Sequence, residues 1–388
     1  MNKTNRFAAL VLVLVLLFGA ALSACSPQAA GENGEGEEEK IIKIGFIGCL
    51  TGDTKTYGES AKNGFELALE QADYKAGGYK IQTVVADDRN DPTEAVNVAT
   101  KLISQDKVSA IMGAVTTAPT IPVSEVANQN KILMITGTAT AEKVTVDNGR
   151  KEYCFRACFI DRVQAVVGAK FALETLEAKT AAVIYDQGSD YTKGLAEVFK
   201  DSFEAGGGSV VAYEAYAKED TDFSAQLTSI AAKNPDILYL PDYYQKSSLI
   251  GQQARQKGIT AVFLGCDGWD SSDLDFDTME GGYFTNHYSS DDQRQEVKDW
   301  VKAYEAKHGS KPDALGTLAY DATNLLLNAI EQTQSNDPVK LQAAMKATKD
   351  FKAVTGSLSF DENGNPVKPA VILQVKDGGY EYIETVSP

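Results

Sequence analysis

Apolar residues recur at two periods along this chain, and the alternation between them sets the architecture. IIKIGFIG at 41–48 is a near-continuous apolar run of strand length, and the stretch after it puts Ala61, Phe65, Leu69 and Ala72 on one helical face. KIQTVVADD makes the next strand. Asp91-Pro92-Thr93-Glu94 then marks a helix start, with a capping acid, a first-turn proline and a glutamate three residues on, and Ala95, Ala99, Leu102 and Ile103 face inward. VSAIMGA and ILMITG add two strands. The order returns in TAAVIYD (180–186), a helix carrying Leu195, Phe199 and Phe203 that stops at Gly206-Gly207-Gly208, SVVAYEAY, a helix from Phe223, DILYLP, a further helix, and AVFLGC. Strands joined by helices call for parallel sheets covered on both faces, so the fold class is α/β, with two doubly wound units in series. Ligands gather at the carboxyl ends of such strands. Residues 291–347 read as mostly helical and 358–386 as turn-punctuated strands, with Asp361-Glu362-Asn363-Gly364 as a hairpin turn.

The N-terminus follows a different logic. Lys3 and Arg6 precede an apolar run, Phe7 to Ala21, which is short for a membrane span and has the order of a secretory signal. Leu22-Ser23-Ala24-Cys25 resembles a bacterial lipobox, in which Cys25 is acylated and becomes the first mature residue; simple cleavage and release is the plainer alternative. The stretch QAAGENGEGEEEK has no large apolar residue and reads as a flexible acidic tether. The expected division is therefore 1–24 signal peptide, 25–40 lipidated cysteine and linker, and a fold from Ile41. The protein then works outside the cytoplasm, anchored by lipid to the outer face of the cell membrane or periplasmic.

With 388 residues the chain exceeds what one core usually organises, so two lobes are expected. A net charge of −17 disfavours nucleic acid as a partner. Four cysteines follow Cys25: Cys49, Cys154, Cys158 and Cys266. Cys154 and Cys158 on one strand would stand beyond disulfide reach, Cys49 and Cys266 each close a strand and could approach across a cleft, and no spacing fits a zinc site.

Candidate chemistry sits at strand ends. Thr117 follows VSAIMGAV and can cap the next helix, whose first amides would welcome an anion; a plain N-cap is the bland reading. Gly137-Thr138-Ala139-Thr140 ends the neighbouring strand, so two adjacent ends could cradle a carboxylate. Asp267, in Gly265-Cys266-Asp267-Gly268-Trp269, could meet an ammonium group or merely make an Asp-Gly turn. Tyr57, Tyr191, Tyr243, Tyr244, Trp269 and Tyr288 occupy loop positions suited to a small-molecule pocket or to ordinary packing. Catalytic sets are poor: the histidines are His287 and His308 alone, no nucleophile elbow or phosphate loop occurs, and a Cys266–His287 pair is the one nucleophile arrangement imaginable. No cofactor is implied.

Read together, IGFIGCLTGDTKTYG, DDRNDPTEAVNVATKLI, IMGAVTTAPTIPVSEV, ILMITGTATAE, FRACFIDRVQ, VIYDQGSDYTKGLAEVF, DFSAQLTSI and LGCDGWD make the chain resemble the substrate-binding proteins of leucine/isoleucine/valine-type ABC importers, the type I two-lobed periplasmic solute receptors. The similarity covers nearly everything after Ile41. It implies a cleft between lobes 41–157 plus 286–369 and 158–285 plus 370–388, joined by hinge crossings, and a non-enzymatic, monomeric binder of an apolar zwitterionic amino acid. Permease and ATPase subunits would receive the solute. By the resemblance Thr117, Ala139 and Thr140 grip the carboxylate and help hold the amine, with Thr138 beside them. Asp267 is the acidic ammonium partner, Tyr191 and Tyr243 close over the ligand with Tyr244 as the other candidate, and Tyr57 and Val115 line the side-chain pocket. Cys49, Trp269 and Tyr288 are looser assignments. A disulfide of some relatives is expected to be absent, because Asn90 and Thr116 stand at its positions. The acid at Asp267 argues against amides, urea or aromatic acids; a sensory module of the same fold and, remotely, a hydrolase are the readings from other classes.

Overall fold

The chain folds because strands buried on both faces need helices over each face, and the sequence supplies them in turn. The structure, a computed structural model, describes residues 39–387. The signal segment, Cys25 and the linker as far as Glu38 lie outside the described residues. Along the first part run β1 (Ile41–Gly48), α1 (Lys55–Gln71), β2 (Lys75–Ala76), β3 (Tyr79–Asp87), α2 (Pro92–Lys101), β4 (Ala110–Met112), α3 (Thr117–Gln129), β5 (Leu133–Thr136) and β6 (Cys154–Arg156). They form a six-stranded sheet in the order β2-β3-β1-β4-β5-β6, parallel except for β2 against β3. Asp91 caps α2 as its spacing predicts, its carboxylate accepting from the Glu94 amide at 2.8 Å with Pro92 at the first turn.

The second part continues with α4 (Asp161–Glu174), β7 (Thr180–Asp186), α5 (Asp190–Ala205), β8 (Ser209–Tyr216), α6 (Ser224–Ala231), β9 (Ile237–Tyr239), α7 (Tyr244–Gln256), β10 (Val262–Gly265), α8 (Phe276–Met279) and β11 (Tyr283–Asn286). There follow α9 (Gln295–His308), α10 (Ala314–Thr333), α11 (Pro338–Lys346), β12 (Phe351–Ala353), β13 (Gly356–Leu358), β14 (Ala370–Lys376) and β15 (Gly379–Val386). The second sheet has seven strands, β15-β14-β11-β10-β9-β7-β8. Its parallel run is closed by β14 and β15, which pair antiparallel. The chain leaves the first sheet after Arg156, returns to it with α10, which lies along α1 and touches β4 and β5, and goes back to the second sheet at β14. The approach of α1 to α10 is close enough that a Cβ on Gly64 would stand 1.9 Å from the Gly316 carbonyl oxygen, so only glycine fits there.

One local expectation changes. Residues 361–364 do turn, but they close only a single bridge, Phe360 to Pro366, because the Asp361 carboxylate takes the amides of Asn363 and Asn365 and Pro366 has no N–H to extend a ladder. The antiparallel hairpin of this region is β12–β13 instead. No described helix is long and apolar enough to cross a membrane.

Candidate functional site

The carboxyl ends of β4 and β5 in the first sheet face those of β7, β9 and β10 in the second, and a small cavity lies between them. Its lining is Tyr57, Val115, Thr116, Thr117, Thr138, Thr140, Tyr191, Tyr243, Asp267, Gly268 and Leu315. Eight of the nine candidate ligand residues named from the sequence therefore meet at one cavity. Ala139 does not: it is buried, its amide donates to the Thr136 hydroxyl, and its carbonyl accepts from Arg156 at 2.8 Å.

At one pole of the cavity small residues present hydroxyls and amides. The expected cap moves by one residue, for Thr116 is the N-cap of α3 and Thr117 its first helical residue. The Thr116 hydroxyl does not cap; it donates to Asn90 Oδ1 at 2.6 Å, so a hydrogen bond joins the two positions at which no disulfide was expected. Thr138 donates its hydroxyl to the Val115 carbonyl at 2.5 Å, tying the two strand ends together. The backbone amide of Thr140 has no partner among the described residues.

At the other pole stands Asp267, opening a single 3₁₀ turn after β10. Its Oδ1 accepts from the Tyr191 hydroxyl at 2.5 Å and Gln164 Nε2 at 3.0 Å, and its Oδ2 lies 3.0 Å from His287 Nε2. Gln164 also accepts from the Asp267 amide at 3.2 Å and so fixes both ends of the residue. Burial holds the His287 imidazole down, to about 4, against the pull of Asp267, so the ring is neutral and its Nε2 carries the proton donated to the carboxylate. Asp161 adjoins this pole; it shares Gln164 Nε2 at 3.2 Å, and burial, with the Asp267 charge second, pushes it up to about 8.

Aromatic rings wall the space between the poles. Tyr191 and Tyr243 stack at 5.0 Å, and Tyr57 meets Tyr243 edge-on at 5.6 Å. Tyr57 comes from the first half and donates its hydroxyl to the Gly268 carbonyl of the second. A Cβ on Gly268 would lie 2.9 Å from the Tyr191 oxygen and 3.0 Å from the Asp242 carbonyl oxygen, so this crossing needs glycine. Tyr244 is buried outside the lining, where its hydroxyl donates to the Asp53 carbonyl at 2.9 Å and accepts from Thr56 at 3.0 Å. The other aromatic and thiol candidates are elsewhere: Trp269 donates to the Leu240 carbonyl, Tyr288 to that of Pro312, and Cys49 to that of Thr54.

All four cysteines of the fold are free and buried. Cys266 lies 3.0 Å from the Tyr191 oxygen, and burial raises its thiol well above the ordinary range, so no Cys266–His287 nucleophile pair exists. No metal-binding group of acids, cysteines and histidines occurs among the described residues. Sequence reasoning missed Thr116, Gly268 and Leu315 in the lining and Gln164, Asp161 and His287 behind Asp267. Gln164 and Asp161 had a signal, since both lie in FRACFIDRVQ, whereas Leu315 and His287 arrive from distant segments.

A periplasmic binding protein family model matches residues 41–380. Leu/Ile/Val-binding protein homolog 3 of Brucella melitensis is 32% identical over 345 residues, 87% of this chain and 92% of that protein. Among solved structures, a leucine-binding protein from Thermotoga maritima superposes with TM-score 0.85 at 35% identity, covering 89% of this chain and 99% of that one. The branched-chain amino acid transporter substrate-binding protein of Streptococcus pneumoniae, in complex with isoleucine, gives 0.84 at 32%, covering 90% and 100%.

Proposed function

This chain belongs to the periplasmic binding protein family, whose members bind solutes and are not enzymes, and on that premise we propose that it takes a small, apolar, zwitterionic amino acid into the cavity between its halves. The observation that carries the reading is polarity: Thr117 and Thr140, the latter with a partnerless amide, line the cavity from the ends of β4 and β5, and the Asp267 carboxyl group lines it from the end of β10. A zwitterion satisfies both ends, where an aromatic acid, an amide or urea satisfies one. Its side chain lies against Tyr57, Val115 and Leu315, and burying an aliphatic side chain there contributes about 1.5–3 kcal/mol.

The lobes 41–157 plus 286–369 and 158–285 plus 370–388 act as jaws on hinges at their crossings. The ligand favours closure because only the closed form meets both of its charges. Tyr57, Tyr191 and Tyr243 shut the cleft over it. The loaded protein then hands its solute to a membrane permease driven by an ATPase, working as a monomer held to the membrane through Cys25. That one structural neighbour is a leucine-binding protein and another is in complex with isoleucine supports the solute class.

The test is a thermal-shift and calorimetry panel of aliphatic amino acids, their amides, urea and aromatic acids. A ligand at about 100 times its Kd stabilises by about 2.7 kcal/mol, which the unfolding midpoint reports. Stabilisation by amides or aromatic acids and none by amino acids would refute the reading.

A further inference from the structure

Arg156 is completely buried at the end of β6, yet among the described residues no carboxylate comes within ion-pair distance of it. Its fork is spent on neutral acceptors. Nη1 donates to the Ala139 carbonyl at 2.8 Å, and Nη2 to the Ala141 carbonyl at 2.9 Å and the Thr145 hydroxyl at 3.1 Å. Nε has no partner. Burying a guanidinium without a counter-charge is costly, and a methionine of similar length would fill the space without that cost. The place it serves is specific: Ala139 and Ala141 flank Thr140, which lines the cavity.

We propose that Arg156 is the positioning residue that makes this site select carboxylates, acting through the Ala139–Thr140 peptide. A donor on the Ala139 carbonyl polarises that peptide and strengthens the N–H at its other end, which is the partnerless amide of Thr140. Hydrogen bonds with a charged member are roughly twice as strong as neutral ones, so the relay turns an ordinary backbone donor into one matched to an anion. The ligand carboxylate is then the missing counter-charge of the guanidinium, one peptide away. Guanidinium stays protonated even when burial lowers its proton affinity, so the donor to the Ala139 carbonyl keeps its charge. Ala139 thereby regains a part in recognition, through its carbonyl and not through contact.

The inference rests on the amino-acid reading of the cavity. Its readout is the ratio of affinities for an amino acid and for the corresponding amide, which keeps the ammonium and side chain but lacks the anion. The purified protein, Arg156→Met and Arg156→Lys are titrated with both, and thermal unfolding confirms that each is folded. In Arg156→Met the acid-over-amide ratio falls by about tenfold or more; in Arg156→Lys, which keeps the charge, it stays within about threefold even if both affinities drop. A purely structural role would weaken both ligands alike and leave the ratio unmoved in the methionine variant, which overturns the proposal. Collapse of the ratio in the lysine variant overturns it too, and that variant suffices should the methionine one not fold. Wild-type protein that prefers the acid by a ratio that Arg156→Met leaves unmoved defeats this inference and leaves the site reading standing, whereas wild-type protein that binds acid and amide equally, or binds neither, defeats both.

Discussion

Asp267→Asn isolates the charge at the ammonium pole. In the native site three donors converge on the carboxylate, from Tyr191, Gln164 and His287, and the side chain is only 12% exposed. Asparagine has the same shape. Its carbonyl oxygen can replace Oδ1 and keep the Tyr191 and Gln164 bonds, while its amide faces His287 Nε2. That nitrogen accepts once the ring moves its proton to Nδ1, an atom buried without a partner in the native protein. The stranded Nδ1–H costs about 1–3 kcal/mol of fold stability, but the cost is present with and without ligand and cancels from the binding equilibrium. What remains is the loss of an ion-paired ammonium in a water-poor site. Removing one partner of a buried charge pair costs about 2–5 kcal/mol, and the retained polar carbonyl argues for about 2–4 of it, roughly 30- to 700-fold in Kd. Calorimetric titration of the best amino acid from the panel measures this, with thermal unfolding to show that the empty variant is folded. Affinity within threefold of wild type would refute the assignment of Asp267 to the ammonium.

Tyr57→Phe removes the hydroxyl that bridges to Gly268 and should weaken ligand binding by about 1 kcal/mol, read by calorimetry, because a net hydrogen bond of that size exists only with the halves together. Asp161→Asn should stabilise the empty protein increasingly as pH rises from 4 to 8: the wild-type group, at about 8 in the fold, stays protonated while the unfolded chain ionises above its ordinary value of 3.8, so wild-type stability is lost across that window; parallel denaturant curves at both pH values check the sign. His287 works oppositely, its fold-lowered value of about 4 draining stability as pH falls from 6.5, and His287→Gln should flatten that acid limb. Asn90→Cys with Thr116→Cys should close a disulfide where the 2.6 Å hydrogen bond now lies and raise stability by about 2–4 kcal/mol, with free thiols assayed after oxidation. Cys25→Ser should abolish incorporation of labelled fatty acid and release the protein from membranes.

The features legible in the sequence were those decided locally. Asp91, Pro92 and Glu94 announce α2 because a cap, a fixed φ and a first-turn acid act within four residues, and they do so in the structure. The strand ends at Thr138–Thr140 and Asp267 were legible because parallel topology sends every such end to one edge. Thr116 and Thr117 show where local rules stop. Both are good caps; Thr116 takes the N-cap position, yet its hydroxyl goes to Asn90 on a different turn and leaves the helix end without a side-chain cap.

Arg156 is the harder case, and it shows what a strand pattern hides. In β6 the residues Cys154, Phe155 and Arg156 are all buried, so side-chain alternation carries no information there, and an arginine in such a run reads as a surface residue by composition. Nothing within the strand explains it. The explanation lies in carbonyls 15 and 17 residues earlier, which face the guanidinium only once β6 has paired with β5 and the loop after β5 has folded back over it. A buried charge of this kind is interpretable only after its acceptors are known, and here those acceptors belong to the loop that presents Thr140 to the cavity. The residues that touch a ligand can be picked out by their chemistry and their strand-end positions, but those that tune them cannot, because tuning runs through the backbone of whichever segment the fold happens to bring alongside.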